Sequence, residues 1–283
     1  MKGLQLSDDD FRRLSLFVHR ECGINLHEGK RELIRARLSK RIRLLNLSGF
    51  GAYYNYLVND LSGVERREML NAISTNLTSF FREPRHFIFM RDVFFPEFLR
   101  QKERDLNIWS SGCSTGEEPY SIAICCLEAI GAAPYPLCRI LATDISTDVL
   151  EKADAGIYPE SNVRHLGAPI IKKYFKKGVN CWTGRVKVKE NLRRMIEFNY
   201  LNLIDACPFE NQFHIIFCRN VMIYFQKKMQ EQLVQSYFRA LRKGGYLFIG
   251  HSETLMGKDH AFSYIMPTIY RKPCNRAGGR HEK

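Results

Sequence analysis

Apolar residues follow two different rhythms along this chain. Up to about residue 75 they recur at helical spacing. Ser7 followed by Asp8, Asp9 and Asp10 predicts a capped helix start, and Phe11, Leu14, Phe17 and Val18 then mark one buried face. Gly23 is expected to close that helix. A second helix is predicted over 28–46, and the pieces AYYNYLV and VERREMLNAI complete a small helical bundle. Beyond Phe80 the rhythm changes. After a helix opened by Pro84 and running to about Leu99, the short apolar runs LNIWSS, RILATDI, MIEFNY, HIIFC and YLFIG alternate with EEPYSIAICCLEAI, STDVLEKADAG and KKMQEQLVQSYFRALRK. Runs of that length suit strands buried on both faces, and the alternation predicts an α/β fold with a doubly wound sheet.

Some segments break the alternation. Residues 157–193 form an insertion in which WTGRVKVKENL reads as hairpin-like, and SYIMPTIYRK reads as a final antiparallel strand. Gly244-Gly245 is expected to stop the last long helix before YLFIG begins. The expected divisions are a helical domain over 1–75, a linker over 76–90, a sheet domain over 91–272 holding the 157–193 insertion, and a disordered tail over 273–283.

Composition narrows the class. With 45% hydrophobic and 26% charged residues among 283, the chain is an ordinary globular one, and no apolar run is long enough to span a bilayer. Three acids stand where a signal peptide needs an apolar core, and the nine cysteines are scattered without CxxC or Cys/His ligand spacing. Reduced thiols, a cytoplasmic location and no metal site are the expectation. The net charge of +13 favours an anionic partner, whether nucleic acid, an acidic protein face or acidic lipid.

Candidate chemistry gathers where strands end. The strand IWSS runs into GCSTGEEP and a helix, and Gly112 and Gly116 let the backbone approach a bound group closely. Only glycines four apart remain of the dinucleotide pattern GxGxxG, which argues against a pyrophosphate and suits a smaller adenosyl ligand. Asp144 ends the next strand, where an acid can accept both ribose hydroxyls; it can equally cap the following helix. HIIFCRNVMIYF delivers Arg219 and Asn220 to the same sheet edge, with Tyr224 either lining the crevice or packing in the core. Amino-group methyltransferases often carry (N/D)PP(Y/F) at this point, and its absence weakens a nucleic-acid base as substrate. STNLTSFFREPRHF offers Asn76, Thr78 and Arg82 interleaved with Leu77, Phe80 and Phe81, either as a simple linker or as part of a site.

The phrases TNLTSFFREPRHF, WSSGCSTGEEPYSIA, ATDIS, IFCRNVMIYF and LFIGHSE, with NLI following FNY, together resemble the CheR-type chemotaxis receptor methyltransferases, in order and over nearly the whole chain. The resemblance implies a class I S-adenosylmethionine-dependent methyltransferase sheet, an all-α N-terminal domain and a small β-subdomain. It implies that Asn76, Thr78 and Arg82 reach over the cofactor, that Glu117 and Asp144 contact its methionine amino or ribose side, and that Asn202 and Leu203 border the adenine. Gly112, Arg219 and Asn220 complete that pocket, and Arg82 and Tyr224 sit nearest the methyl transfer. The implied reaction makes methyl esters on glutamate side chains of chemoreceptors.

The segment EGKRELIRARLSKRIRLL carries Arg35, Arg37, Lys40, Arg41 and Arg43. It reads either as a solvated basic face or as a docking face for the acidic methylation helices of a receptor, which the resemblance favours. Arg37 and Arg41 intrude on its apolar arc. In some family members the β-subdomain binds a tethering peptide at the receptor's tail. No nucleic-acid partner and no membrane insertion are expected. A methyltransferase acting on another acceptor, or an adaptor that holds cofactor without turning over, are the alternatives.

Overall fold

The computed structural model describes residues 4–131 and 137–274. The tail expected at the C-terminus therefore lies, from residue 275 onward, outside the described residues. Four helices come first: α1 (Asp8–Cys22), α2 (Arg31–Leu44), α3 (Phe50–Val58) and α4 (Val64–Ile73). Ser7 caps α1 by accepting from the Asp10 amide, and Gly23 closes it at φ +72°. Leu14, Val18, Ile34, Leu38, Ile42, Tyr53 and Leu57 meet in a core whose buried residues all come from this helical unit, with Ile145 from farther along the chain packed against it.

Helices α5 (Arg85–Phe89) and α6 (Phe95–Arg100) follow, joined through a π-helical stretch at Met90–Phe94. Then come β1 (Asp105–Ser111), α7 (Glu117–Ile130), β2 (Leu137–Asp144) and α8 (Thr147–Ala155). The insertion holds β3 (Ile157–Pro159), α9 (Ala168–Tyr174), β4 (Phe175–Lys177), β5 (Arg185–Val188) and α10 (Glu190–Arg193). The chain ends through β6 (Ile196–Tyr200), β7 (Phe213–Cys218), α11 (Lys227–Ala240), β8 (Leu241–Ile249), β9 (Ser263–Met266) and β10 (Ile269–Arg271).

The main sheet has seven strands in the order β6-β2-β1-β7-β8-β10-β9. Its first five neighbours run parallel, and β10 enters antiparallel between β8 and β9. β9 therefore runs with the first five, and six strands of one direction with a reversed strand inserted near one edge is the class I methyltransferase arrangement. The strand order reverses beside β1, so β1 leads through α7 to β2 on one side while β7 lies on the other. A crevice opens there, outside the carboxyl ends of the strands. The fully buried row Phe213–Cys218 shows why such runs are almost wholly apolar, His214 being its one polar residue.

Three details differ from the expected picture. The insertion is a three-stranded antiparallel sheet, β3-β5-β4, rather than a single hairpin. The final strand is a pair, β9 and β10. Gly244 and Gly245 do not stop α11, which ends at Ala240; they lie inside β8. Leu241 pairs with Phe213 but Tyr246 pairs with Ile215, so extra residues must be absorbed in one strand. Gly244 does this at φ +76°.

Candidate active site

The crevice is a cavity of about 320 Å³. One wall is the sheet edge: the turn after β1, the end of β2, residues 201–203 after β6 and residues 219–225 after β7. The linker covers it through Asn76, Thr78 and Arg82. The helical unit supplies the rest, with Ile24, Leu26, Lys30 and Ile34 facing in.

The turn after β1 is built to leave room. Gly112 and Cys113 donate to the Thr143 carbonyl at 2.8 and 2.9 Å, which locks the turn to β2. Gly112 holds φ +91°, and a Cβ there would lie 2.5 Å from Val221 Cγ2. Ser114 donates its amide to Asp144 Oδ2 at 2.9 Å and its hydroxyl to the Asn76 carbonyl at 3.0 Å, tying turn, β2 and linker together. Gly112→Ala is expected to cost on the order of 1–3 kcal/mol of stability, through strain and a displaced Val221. It is also expected to abolish adenosyl-ligand binding in calorimetry. Wild-type affinity in a folded Gly112→Ala protein would show that the turn does not set the cavity.

Asp144 is buried, which pushes its carboxyl above the usual range while the Ser146 and Ser114 amides hold it down. Ser146 donates to Oδ1 at 3.0 Å, and the Ile145 amide also holds the carboxyl down; a carboxylate has about four lone-pair sites, so acceptor capacity remains for a ligand.

Arg219 is the electrostatic centre of the wall. Its side chain is 2% exposed, and it donates to Glu83 at 3.3 Å, to Glu118 at 3.1 Å and to the Arg82 carbonyl. Burial raises the Glu118 carboxyl, and Arg219 is the largest opposing influence. Glu118 also accepts from Ser110 at 2.7 Å. The guanidinium thus fastens the linker to α7 across the end of β7.

The loop after β7 is held by Glu253. Its Oε2 accepts from the Asn220 and Gly250 amides at 3.0 and 2.6 Å, and its Oε1 from Val221 and Ile223 at 3.0 and 3.3 Å. Asn220 sits at φ +58°, a conformation that these bonds stabilise. Farther along, the Tyr224 carbonyl accepts from Asn25 at 2.8 Å, and Ile24 forms a β-bridge with Phe225. Lys30 Nζ lies 4.6 Å from the Tyr224 ring centroid. The helical unit is therefore stitched to the loop that carries Arg219, Asn220 and Tyr224.

A glycine cradle, a buried acid at the end of β2 and an apolar wall match a nucleoside with a charged tail. Sequence comparison names the group. Residues 76–271 match the family model of the CheR methyltransferase SAM binding domain, and residues 9–74 that of the CheR methyltransferase all-alpha domain. The chain belongs to the CheR methyltransferase family. It is an S-adenosylmethionine-dependent methyltransferase. Chemotaxis protein methyltransferase 2 of Pseudomonas aeruginosa is 40% identical over 263 residues, covering 93% of this chain and 92% of that protein. The chemotaxis protein methyltransferases of Salmonella typhimurium and Klebsiella aerogenes are 39% and 41% identical over 268 residues; each alignment covers 94% of this chain, and 91% and 90% of those proteins.

Of the residues that the CheR resemblance singles out, Asn76, Thr78, Arg82, Gly112, Asp144, Asn202, Leu203, Arg219, Asn220 and Tyr224 all line the cavity. Glu117 is not among the lining residues; its buried carboxylate accepts from Thr115 at 2.6 Å, while the next residue, Glu118, lines the cavity. Asn202 lines the cavity while its side-chain amide donates to the Glu21 carbonyl at 2.7 Å, adding another stitch to α1.

In the basic segment, Arg37 and Arg41 have partners within the protein. Arg41 donates to buried Glu65 through two nitrogens, at 3.1 and 2.5 Å, and pairs with Glu68 at 2.8 Å. Arg37 donates to the Ile73 and Ser74 carbonyls at 2.6 and 2.8 Å, capping the end of α4 where the linker begins. Both are struts inside the protein, which is why they interrupt the apolar arc of α2. Lys40 and Arg43 are exposed, and half-exposed Arg35 pairs with Glu32. The residues not anticipated are Glu253, Glu118 and the helical unit's Ile24 and Lys30.

Proposed function

We propose that this protein methylates glutamate carboxylates on the cytoplasmic helices of chemoreceptors. The observation that carries this reading is a cationic cavity without a free base. Among the described lining residues, the acids are Glu118 and Asp144, both engaged, and there is no histidine. Burial pushes the Cys22 thiol up to about 12, so it supplies no thiolate. Lys30 and Arg82 bring positive charge from the helical unit and the linker.

That combination suits an acceptor that is already an anion. S-adenosylmethionine supplies an activated methyl on a sulfonium when bound. A glutamate with a pKa of about 4.3 is ionised at neutral pH and needs no proton removed. The protein's task is alignment and exclusion of water, and near-attack geometry supplies on the order of 7–11 kcal/mol. Arg82 donates one Nη to the Leu77 carbonyl at 2.8 Å, which fixes its direction and leaves other donors to orient a carboxylate. Tyr224, held under Lys30, positions the acceptor's neighbour groups with no proton transfer. In this reading Asp144 takes the ribose, Asn202 and Leu203 border the adenine, and Asn76, Thr78 and Asn220 close over the methionine portion. Glu117, with Glu118 beside it on the cavity wall, serves the methionine amino or ribose side.

Exposed Lys40 and Arg43, with Arg35, are the docking cations toward acidic receptor helices. The small sheet β3-β5-β4, with β3 and β4 as its edges, is where a receptor tether strand would add. Among the described residues no helix is long and apolar enough to cross a membrane, and the action proposed is cytoplasmic.

The test is transfer of labelled methyl from S-adenosylmethionine to receptor cytoplasmic fragments, followed by mild base. Label released as methanol, and lost when the candidate glutamates become alanine, is the expected result; base-stable label would overturn the carboxylate acceptor. The pH profile offers a second check. With no catalytic base, kcat/KM is expected to be flat above about pH 6 and to fall only as the acceptor protonates, near about pH 4–5. A rising limb through neutral pH would reveal a base that this account lacks.

A further inference from the structure

Behind the Arg219 wall, outside the cavity, Glu83, His86 and His251 converge. None of them lines the cavity, although Glu83 pairs with Arg219 in its wall. One ligand-capable atom from each lies within 4.8 Å of the other two. His86 is fully buried, and its Nδ1 has no hydrogen-bond partner.

The tautomer of His86 follows from its other neighbour. Its Nε2 lies 2.7 Å from Thr268 Oγ1, and the Thr268 hydroxyl donates to the Pro267 carbonyl at 2.5 Å. With its only proton committed there, Oγ1 accepts from the ring, so Nε2 carries the hydrogen. Neutral His86 then turns the Nδ1 lone pair toward the Glu83 carboxylate, whose Oε2 is 3.7 Å away. Two electron-rich atoms facing each other in a buried place repel. A cation between them turns that repulsion into coordination.

The spacing suits a small metal ion. Two ligands at about 2.1 Å on a tetrahedral centre lie about 3.4 Å apart, close to the separation of this pair. His251 stands on the solvent side. It is exposed, its amide donates to Glu83 Oε1 at 3.1 Å, and its ring centroid is 6.0 Å from that of His86. One of its ring nitrogens already lies within 4.8 Å of the other two ligand atoms, and its exposure leaves an entry path. Thr268 fixes the ring of His86 from behind, as partners of metal-bound histidines do. The opposing charge is Arg219, 3.3 Å from Glu83 Oε2, but it is shared with Glu118.

We propose that Glu83, His86 and His251 form a binding site for a divalent transition-metal ion such as zinc, with water in the fourth position. The site is independent of which acceptor the enzyme methylates.

Chelator-treated full-length protein is titrated with zinc ion alone by calorimetry, and with cobalt ion as a spectroscopic probe. One ion per chain is expected, with visible d–d bands of a four-coordinate nitrogen and oxygen site. His251→Ala changes an exposed side chain and leaves the core untouched; it is expected to weaken binding by at least about tenfold, as is Glu83→Gln. His27→Ala, an exposed histidine elsewhere, leaves binding unchanged. No zinc binding, or equal affinity and stoichiometry in wild type, His251→Ala and Glu83→Gln, would overturn the proposal.

Discussion

Arg219→Met is expected to destabilise the protein by about 3–5 kcal/mol, the usual cost of removing one partner from a buried ion pair. The guanidinium is 2% exposed, and its partners Glu83 and Glu118 are 9% and 11% exposed, so water cannot take its place. The variant leaves two carboxylates in a poorly hydrated wall. Burial already raises Glu118, and loss of its main stabilising charge raises it further. A carboxyl whose folded pKa lies above its unfolded value costs stability at high pH, and the cost fades as pH falls and the folded form takes up the proton. Urea denaturation should therefore show the largest deficit near pH 8 and a smaller one near pH 5. Adding Glu118→Gln should recover part of the loss at neutral pH. A deficit under about 1 kcal/mol, without pH dependence, would mean that the pairs are screened as at a surface.

Glu253 makes the second large demand. Glu253→Ala is expected to lower kcat/KM for methyl transfer by about 100-fold, or about 2–3 kcal/mol, because three amides of the loop carrying Arg219, Asn220 and Tyr224, and that of Gly250, lose their acceptor. Glutamine makes the sharper test. It is isosteric, but its NH2 would face amide N–H groups, donor against donor, on one side of the fork. If Glu253 works as an acceptor, Glu253→Gln should be nearly as impaired as alanine. If glutamine restores wild-type kinetics, the residue acts through packing alone.

These two residues also mark the limits of sequence reading here. The alternation of strands and helices was legible because buried parallel strands leave continuous apolar runs, and the end of α1 was legible because Ser7 and Gly23 are local signals. Asp144, Arg219 and Asn220 could be found because β2 and β7 deliver their last residues to the crevice. Glu253 gave no such signal: it serves a loop more than thirty residues earlier, and only pairing of β8 with β7 brings the two together. The helical unit's part in the cavity was hidden for the same reason, since the bridge between Ile24 and Phe225 joins distant segments. Which of Glu117 and Glu118 lines the cavity turns on helical phase, which a turn of unknown geometry leaves undefined. Gly244 was misread because a glycine that ends a helix and one that relieves a bulge look alike in sequence. For Arg37 and Arg41 a clue did exist: cations set into an apolar arc point to internal partners, and Glu65 and the end of α4 are those partners.

The seam between the helical unit and the loop after β7 includes two main-chain contacts, Asn25 to Tyr224 and Ile24 to Phe225, beside the Lys30–Tyr224 side-chain contact. The main-chain contacts are indifferent to side-chain identity. Mutations on the outer face of α2 can therefore accumulate without prying the cavity open. After gene duplication, a daughter enzyme can change its outer surface while inheriting intact the means of holding its methyl donor. Recognition and chemistry are free to evolve at different speeds within one chain.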